Sequence, residues 1–282
     1  MTSQVPLYVH GYSDIEARRL RDQADTLADL LHDGTTFPAG SKVLEVGCGT
    51  GAQTVSLAAR SPAAQLFSAD ISATSLQHAR SRVAAEAPAA EVRFLQADLF
   101  DLPFADATFD HLFVCFVIEH LPDPAQGLAS LRRLLRPGGT ITVIEGDHGS
   151  AFFHPAGAAA QLTIQCLIDL QAMAGGDGLI GRRLQPLLKA AGYQDVEVGP
   201  RTVYADETRP DLVAGFTTNT FNAMVAGVRA EALAAGLISE NDWDAGIVEL
   251  GRAAEPGGTF HYTFFKGTAV RPSTVQESGP LV

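Results

Sequence analysis

The stretch Val43-Leu44-Glu45-Val46-Gly47-Cys48-Gly49-Thr50-Gly51 constrains this chain more than any other. An apolar run enters three alternating glycines and then a helical pattern. Glycine tolerates positive φ and lets a ligand come close to the backbone, so this is the turn of a strand–loop–helix unit suited to holding one. Glycines also make tight turns with nothing bound. Asp70 weighs against that reading: it ends the next apolar run about 20 residues on, where a carboxylate can hold the two hydroxyls of a ribose.

Around that unit, short apolar runs alternate with helical ones. Residues 42–46, 65–69, 91–96, 111–117 and 140–145 read as strands. Residues 51–60, a segment capped by Ser72 and running to about 86, and 126–136 read as helices, the last closed by Pro137-Gly138-Gly139. This pitch predicts an α/β fold: a doubly wound parallel sheet with helices on both faces. Further on, 157–174, 182–191, 210–235 and 241–254 read as helices, and 193–203 and 259–270 as strands. Ser13-Asp14-Ile15-Glu16 has capping-box form, and Leu20, Ala24, Leu27, Leu30 and Leu31 follow at helical spacing. The expected organisation is an N-terminal arm and helix over the ligand (1–40), a binding core (41–145) and a first lid insertion (146–181). A core helix and strand (182–205), a second helical lid (206–257), a last core strand (258–271) and a polar, disordered tail (272–282) complete it.

Charge narrows the partners. Twenty Lys and Arg stand against 32 Asp and Glu, a net −12. Binding to polynucleotides or anionic membranes rests on basic side chains, so both are disfavoured, whereas a cationic ligand is not. The start, MTSQVPLYVHGYSDIE, has neither the basic nor the apolar segment of a signal peptide, and no run reaches the roughly 18 apolar residues of a membrane span. Cys48, Cys115 and Cys166 are odd in number, far apart and without CxxC spacing, which argues against disulfides and cysteine-bound metal. The expectation is a soluble, cytoplasmic protein of open oligomeric state.

Two ligand classes suit the glycine loop. Gly47-x-Gly49-x-x-Ala52 satisfies a dinucleotide fingerprint, and Tyr262-Thr-Phe-Phe-Lys266 has the spacing of a short-chain dehydrogenase pair. That pair works one helical turn apart, however, and His261–Phe265 is β-branched and aromatic, which predicts a strand. The other class is S-adenosylmethionine. The chain resembles the class I methyltransferases at five places in order: Glu45-x-Gly47-x-Gly49-x-Gly51; Asp70; Ala97-Asp98-Leu99; Phe116-Val-Ile-Glu119-His120-Leu121; and Leu135-Arg-Pro-Gly-Gly139-Thr140. Within them it is similar to the small-molecule branch of ubiquinone/menaquinone-type and natural-product enzymes. The resemblance implies a doubly wound, mostly parallel, Rossmann-like sheet of seven strands, with 193–203 and 259–270 as its antiparallel edge pair, and that Glu45, Gly47, Gly49, Gly51, Asp70, Ile71, Asp98, Leu99, Cys115 and Phe116 surround the cofactor, with Asp98 at the adenine amine. It also implies that an arm with Tyr8, His10 and Tyr12 folds over it, with Gln23 or Arg19 meeting its carboxylate.

Methyl transfer from a sulfonium is an in-line displacement. A carboxylate beside the sulfur favours the ground state, so the protein's useful work is alignment, exclusion of water and removal of an acceptor proton. This predicts acids at the ribose and amino ends (Asp70, Glu45) and an apolar wall at the methyl (Phe116, Ile118). Candidate catalytic residues are His120, His148, where Glu145-Gly146-Asp147-His148 is expected to leave the fifth strand, and Tyr12, with His154 a weaker candidate. Asp147, His148 and His154 match no ordinary metal site, so no metal is expected. The expected acceptor is a small, largely apolar, aromatic molecule, indole- or phenol-like, enclosed by the lids. The alternatives are a non-methylating member that binds the same cofactor, and a nicotinamide-dependent reductase.

Overall fold

The computed structural model of the protein describes residues 26–273. Seven strands form one sheet in the order β3-β2-β1-β4-β5-β7-β6. They are β1 (Lys42–Val46), β2 (Gln65–Asp70), β3 (Val92–Gln96), β4 (Phe109–Cys115), β5 (Leu135–His154), β6 (Gln194–Ala205) and β7 (Thr259–Val270). The first five pair in parallel, and β7 runs antiparallel between β5 and β6.

Side chains alternate across each strand, so the central strands feed two cores. Val43, Phe113, Cys115 and Ile144 point to one face, with Leu27 and Leu31 of α1 (26–32) and Leu57 of α2 (Ala52–Arg60). Leu44, Val46, Leu112, Val114, Ile141 and Val143 point to the other. There Leu128 and Leu131 of α4 (Pro124–Arg132) and Leu184 and Leu188 of α6 (Leu184–Ala190) cover them. Near-continuous apolar runs are what a parallel strand buried on both faces requires. The Ser72 hydroxyl accepts from the Ser75 amide at 3.2 Å and starts α3 (Ala73–Glu86), as the sequence predicts.

Three boundaries differ from the sequence reading. β4 stops at Cys115 because Phe116 takes φ +58°, a left-handed conformation rare for a bulky side chain. The helix expected over 126–136 begins at Pro124, capped by Asp123, and ends at Arg132, so that Pro137-Gly138-Gly139 lies inside β5. β5 itself continues past Glu145 to His154. A bulge follows Asp147, and then Phe152, Phe153 and His154 pair with His261, Phe260 and Thr259 of β7. Pairing of Gly146 and Asp147, and again of Phe152 to His154, with β7 carries β5 through the loop-like Gly146-Asp147-His148-Gly149, so His148, at the bulge, and His154 stand on a strand and not in a lid loop.

The two insertions form one helical layer. α5 (Ala158–Met173) lies against α10 (Glu240–Gly251) so closely that a Cβ on Gly246 would sit 2.6 Å from the Ala159 carbonyl oxygen. The Glu249 carboxylate of α10 accepts the Ala160 amide at 3.0 Å, placing a negative charge at the N-terminus of α5. The helix expected over 210–235 is broken up. α7 (Pro210–Leu212) passes through a widened π-helical stretch, Val213–Asn222, into α8 (Ala223–Ala226), and α9 (Arg229–Ala234) follows. The Thr220 hydroxyl donates to the carbonyl of Gly215, five residues back, at 2.8 Å. No helix among the described residues is long and apolar enough to cross a membrane.

Candidate cofactor site

The glycine loop hangs from the end of β1. The amides of Gly47 and Cys48 both donate to the Ala69 carbonyl, at 2.8 and 3.0 Å, and this draws β1 and β2 together beneath the loop. All three glycines have positive φ, and two have a second reason to lack a side chain. At Gly47 a Cβ would strike Val117; at Gly51 it would lie 2.9 Å from the Ala79 Cα of α3. Gly49 is different: among the described residues nothing lies within 4 Å of where its Cβ would be. The loop therefore offers bare backbone to open space at its middle glycine, which is what a cradled ligand needs.

Asp70 closes that cradle. Its Oδ2 accepts the Gly49 amide and its Oδ1 the Ser72 amide, each at 2.8 Å. Burial raises its pKa while these amides oppose the rise, and further lone pairs on both oxygens remain available to a diol. Glu45 serves from below. It is buried, and its Oε2 accepts the hydroxyls of Thr54 (2.6 Å) and Ser68 (2.8 Å), so it ties α2 and β2 to β1. Desolvation pushes its carboxyl up to about 7 against those two hydrogen bonds. The loop and Asp70 fit an adenosyl group. In this structure the carboxylate of Glu45 is occupied in holding the loop together.

Asp98 caps a short 3-10 turn, Leu99–Asp101, by accepting the Phe100 amide at 2.9 Å. Ile71 and Leu99 are half-buried at the ends of β2 and β3. Cys115 is buried, and the half-buried Phe116 ring lies 5.5 Å from Phe264. Ile118, expected on the methyl wall, is instead fully buried in the core on the opposite face. His120 lies beside Glu119, Nε2 to Oε1 3.5 Å. His148 is buried, its Nδ1 2.9 Å from the Tyr262 hydroxyl, whereas His154 is exposed at the far end of β5. Tyr8, His10, Tyr12, Arg19 and Gln23, and the tail beyond Ser273, lie outside the described residues.

Several polar residues here escape a reading by motif. Glu145 accepts the amides of Val117 and Ile118 on one oxygen (3.0 and 2.9 Å), and so shapes the loop after β4 from β5. Gln171 of α5 donates to Glu119 at 3.3 Å. His32 stacks on Phe113 at 5.3 Å and meets Gln53 at 2.6 Å, and burial drives its pKa down to about 4, so it is neutral. Lys266 donates to the Asp33 carbonyl (2.6 Å) and the Thr35 hydroxyl, while Tyr262 faces His148. The two are thus spread along a strand, as expected, and do not form a helical Tyr–Lys pair. Among the described residues no three His, Cys, Asp or Glu side chains converge as a metal site.

The three thiols are free and buried. Burial first, then the nearby Glu45 and Asp70, push the Cys48 thiol far up. Burial and then Glu145, Glu45 and Glu119 do the same to Cys115. Iodoacetamide at pH 7.5 is expected to label the folded protein at Cys48 and Cys115 at least about 100-fold more slowly than in denaturant, read by peptide mass spectrometry.

A seven-stranded, doubly wound sheet whose first strand runs into a left-handed glycine loop and whose second ends in Asp70 is a fold of the methyltransferase type. Residues 44–143 match a family model described as a methyltransferase domain. An O-methyltransferase of Penicillium expansum, cnsE, is 33% identical over 203 residues, 70% of this chain and 69% of that one. Methyltransferase GfsG of Streptomyces halstedii is 35% identical over 126 residues, 45% of each chain. Among solved structures, phosphoethanolamine N-methyltransferase 2 of Haemonchus contortus in complex with S-adenosyl-L-methionine shares the fold. The TM-score is 0.54 at 19% identity, covering 88% of this chain and 52% of that one. This chain belongs to the class I S-adenosylmethionine-dependent methyltransferases. It spans about half the length of the first curated relatives it matches, 59% of one and 45% of another.

Proposed function

We propose that the chain binds S-adenosylmethionine across Gly47–Gly51 and transfers its methyl group to a small, largely apolar, aromatic acceptor, indole- or phenol-like. The observation that carries the reading is Asp70, held by the amides of Gly49 and Ser72 at the edge of a left-handed loop with open space above Gly49. The bound cofactor supplies an electrophilic methyl on a sulfonium. The chain's part is positional. Gly47, Gly49 and Gly51 present backbone, Asp70 and Ile71 take the ribose end, Asp98 and Leu99 the adenine, and Cys115 with Phe116 the wall towards the acceptor. The helical layer of 158–173 and 210–254 acts as a lid that excludes water and lines the acceptor side with Phe221 and Met224. His148, whose Nδ1 meets the Tyr262 hydroxyl, and His120, beside Glu119, are the candidates to take an acceptor proton. The excess of acid over base supports a small-molecule acceptor over nucleic acid, and the free buried cysteines support a reducing, cytoplasmic setting.

The test is a mass-spectrometric screen. The protein is incubated with S-adenosylmethionine and a panel of indoles, phenols, amines, keto acids and quinols. The expected result is a product one methylene heavier, with matching S-adenosylhomocysteine, from an aromatic member. Substituting His120 or His148 by alanine then lowers its rate by about 100-fold for whichever residue takes the proton. Turnover confined to aliphatic acceptors overturns the acceptor class. Cofactor binding without turnover across the panel turns the reading towards a non-methylating member of the family.

A further inference from the structure

The turn after β4 and the facing parts of β5 and α5 carry an excess of buried hydrogen-bond acceptors. Glu145 is fully buried; its Oε1 takes two backbone amides, and its Oε2 has no hydrogen-bond partner among the described residues. Glu119, also buried, faces it and is held by Gln171 Nε2 at 3.3 Å. The carbonyl oxygen of Gln171, a residue only 1% exposed, likewise has no partner among the described residues. Two orphan acceptor oxygens beside a like-charged pair leave room for a proton, a donor or a cation.

The surroundings supply little positive charge. From β1, Glu45 lies close through Cys115. On β5, Asp147 is already paired with Arg182 of the turn after α5, at 2.7 Å, and His148 is bound to Tyr262 of β7. His120 lies against the outer oxygen of Glu119. Lys266 of β7 is turned to Asp33 and Thr35, and burial lowers it to about 8. Arg183 is engaged by Asp177. Desolvation first, then Glu119, holds the Glu145 carboxyl well above the usual carboxylate range. The pair also lies just past the carboxyl end of β4 and of the stretch of β5 that pairs with it, near the point between β1 and β4 where the strand order reverses, and ligands of such sheets bind in that region.

We propose that Glu119 and Glu145 form a proton-holding pair that gives up one proton when the cationic cofactor binds and, through His120 beside Glu119, receives the acceptor's proton in the transfer step. The inference rests on the function proposed above. Its balance is simple. An acceptor lone pair forms the new bond to the methyl carbon, the carbon–sulfur bond breaks with its electrons left on sulfur, and the proton from the acceptor's N–H or O–H passes by way of His120 to the pair. The sulfonium charge vanishes as the pair is neutralised by one unit, so the net charge of the enclosure does not change. That removes the ground-state penalty of a carboxylate near a sulfonium, since the negative charge is cancelled in the same step.

The test needs no acceptor. Titration calorimetry of the full chain in two buffers of different ionisation enthalpy, at pH 7, counts the protons exchanged on binding. The cationic S-adenosylmethionine is expected to release about one proton more than the neutral thioether S-adenosylhomocysteine. Both ligands carry the same amine and carboxylate, so Glu145→Gln and Glu119→Gln isolate the pair. Glu145→Gln keeps a carbonyl for the amides of Val117 and Ile118, and in either variant the difference is expected to fall towards zero with S-adenosylhomocysteine affinity preserved. An equal difference in wild type and both variants, with both ligands bound, overturns the proton-holding pair alone. Failure of both ligands to bind overturns the cofactor reading, and this inference with it.

Discussion

Replacing Asp70 by alanine is expected to weaken S-adenosylhomocysteine binding by roughly 100-fold, measured by calorimetry. Each hydrogen bond to a charged group contributes about 1.5–3 kcal/mol, and the substitution removes the ribose acceptor together with the anchor of the Gly49 amide. The fold should survive, because Asp70 is half-buried at the tip of β2 and the Gly49 and Ser72 amides can turn to water. A thermal midpoint lowered by only a few degrees, beside the lost affinity, is the expected pair of results. Unchanged affinity would mean that the ligand lies elsewhere.

The second large effect concerns the helical layer. Trp243 of α10 is 1% exposed, in one apolar cluster with Phe216, Phe221, Phe260, Tyr262 and the sheet residues Val43 and Phe113. Trp243→Ala removes the largest side chain of that cluster, and large-to-small core changes of this kind cost about 3–5 kcal/mol. Denaturant unfolding followed by circular dichroism should show that loss in a single transition. Two separate transitions, or a loss under about 1 kcal/mol, would show that the layer folds apart from the sheet.

The sheet was legible because its physics is local. Val43–Val46 and the other central strands are apolar runs bounded by glycine, Ser72 is a cap, and His261–Phe265 has no period but that of a strand. The glycine loop and Asp70 were legible for the same reason, since their spacing follows from what a cradled ligand demands of the backbone. The misplacements came from long-range pairing. Gly146-Asp147-His148-Gly149 looks like a loop until β7, over a hundred residues later, supplies hydrogen-bond partners. Ile118 appeared to face a ligand because the turn at Phe116, which sends it into the opposite core, shows only as a backbone angle. The Glu119–Gln171–Glu145 cluster was hidden more deeply. Its members come from β5, α5 and the turn after β4, and no spacing in one dimension marks three residues that meet only when the helical layer packs on the sheet.

β7 lies between β5 and β6 although it is the last strand of the described residues. During synthesis, therefore, β5 and β6 leave the ribosome with a strand-wide gap between them, and His148 waits for Tyr262, as Asp33 and Thr35 wait for Lys266. Pairings across such sequence separations form slowly and leave edges exposed meanwhile. A chain stopped before residue 259 would have the glycine loop and Asp70 in sequence but an open sheet around them. Its completion is a late event, and a nascent chain tethered at that stage should be open to proteases that the finished protein resists.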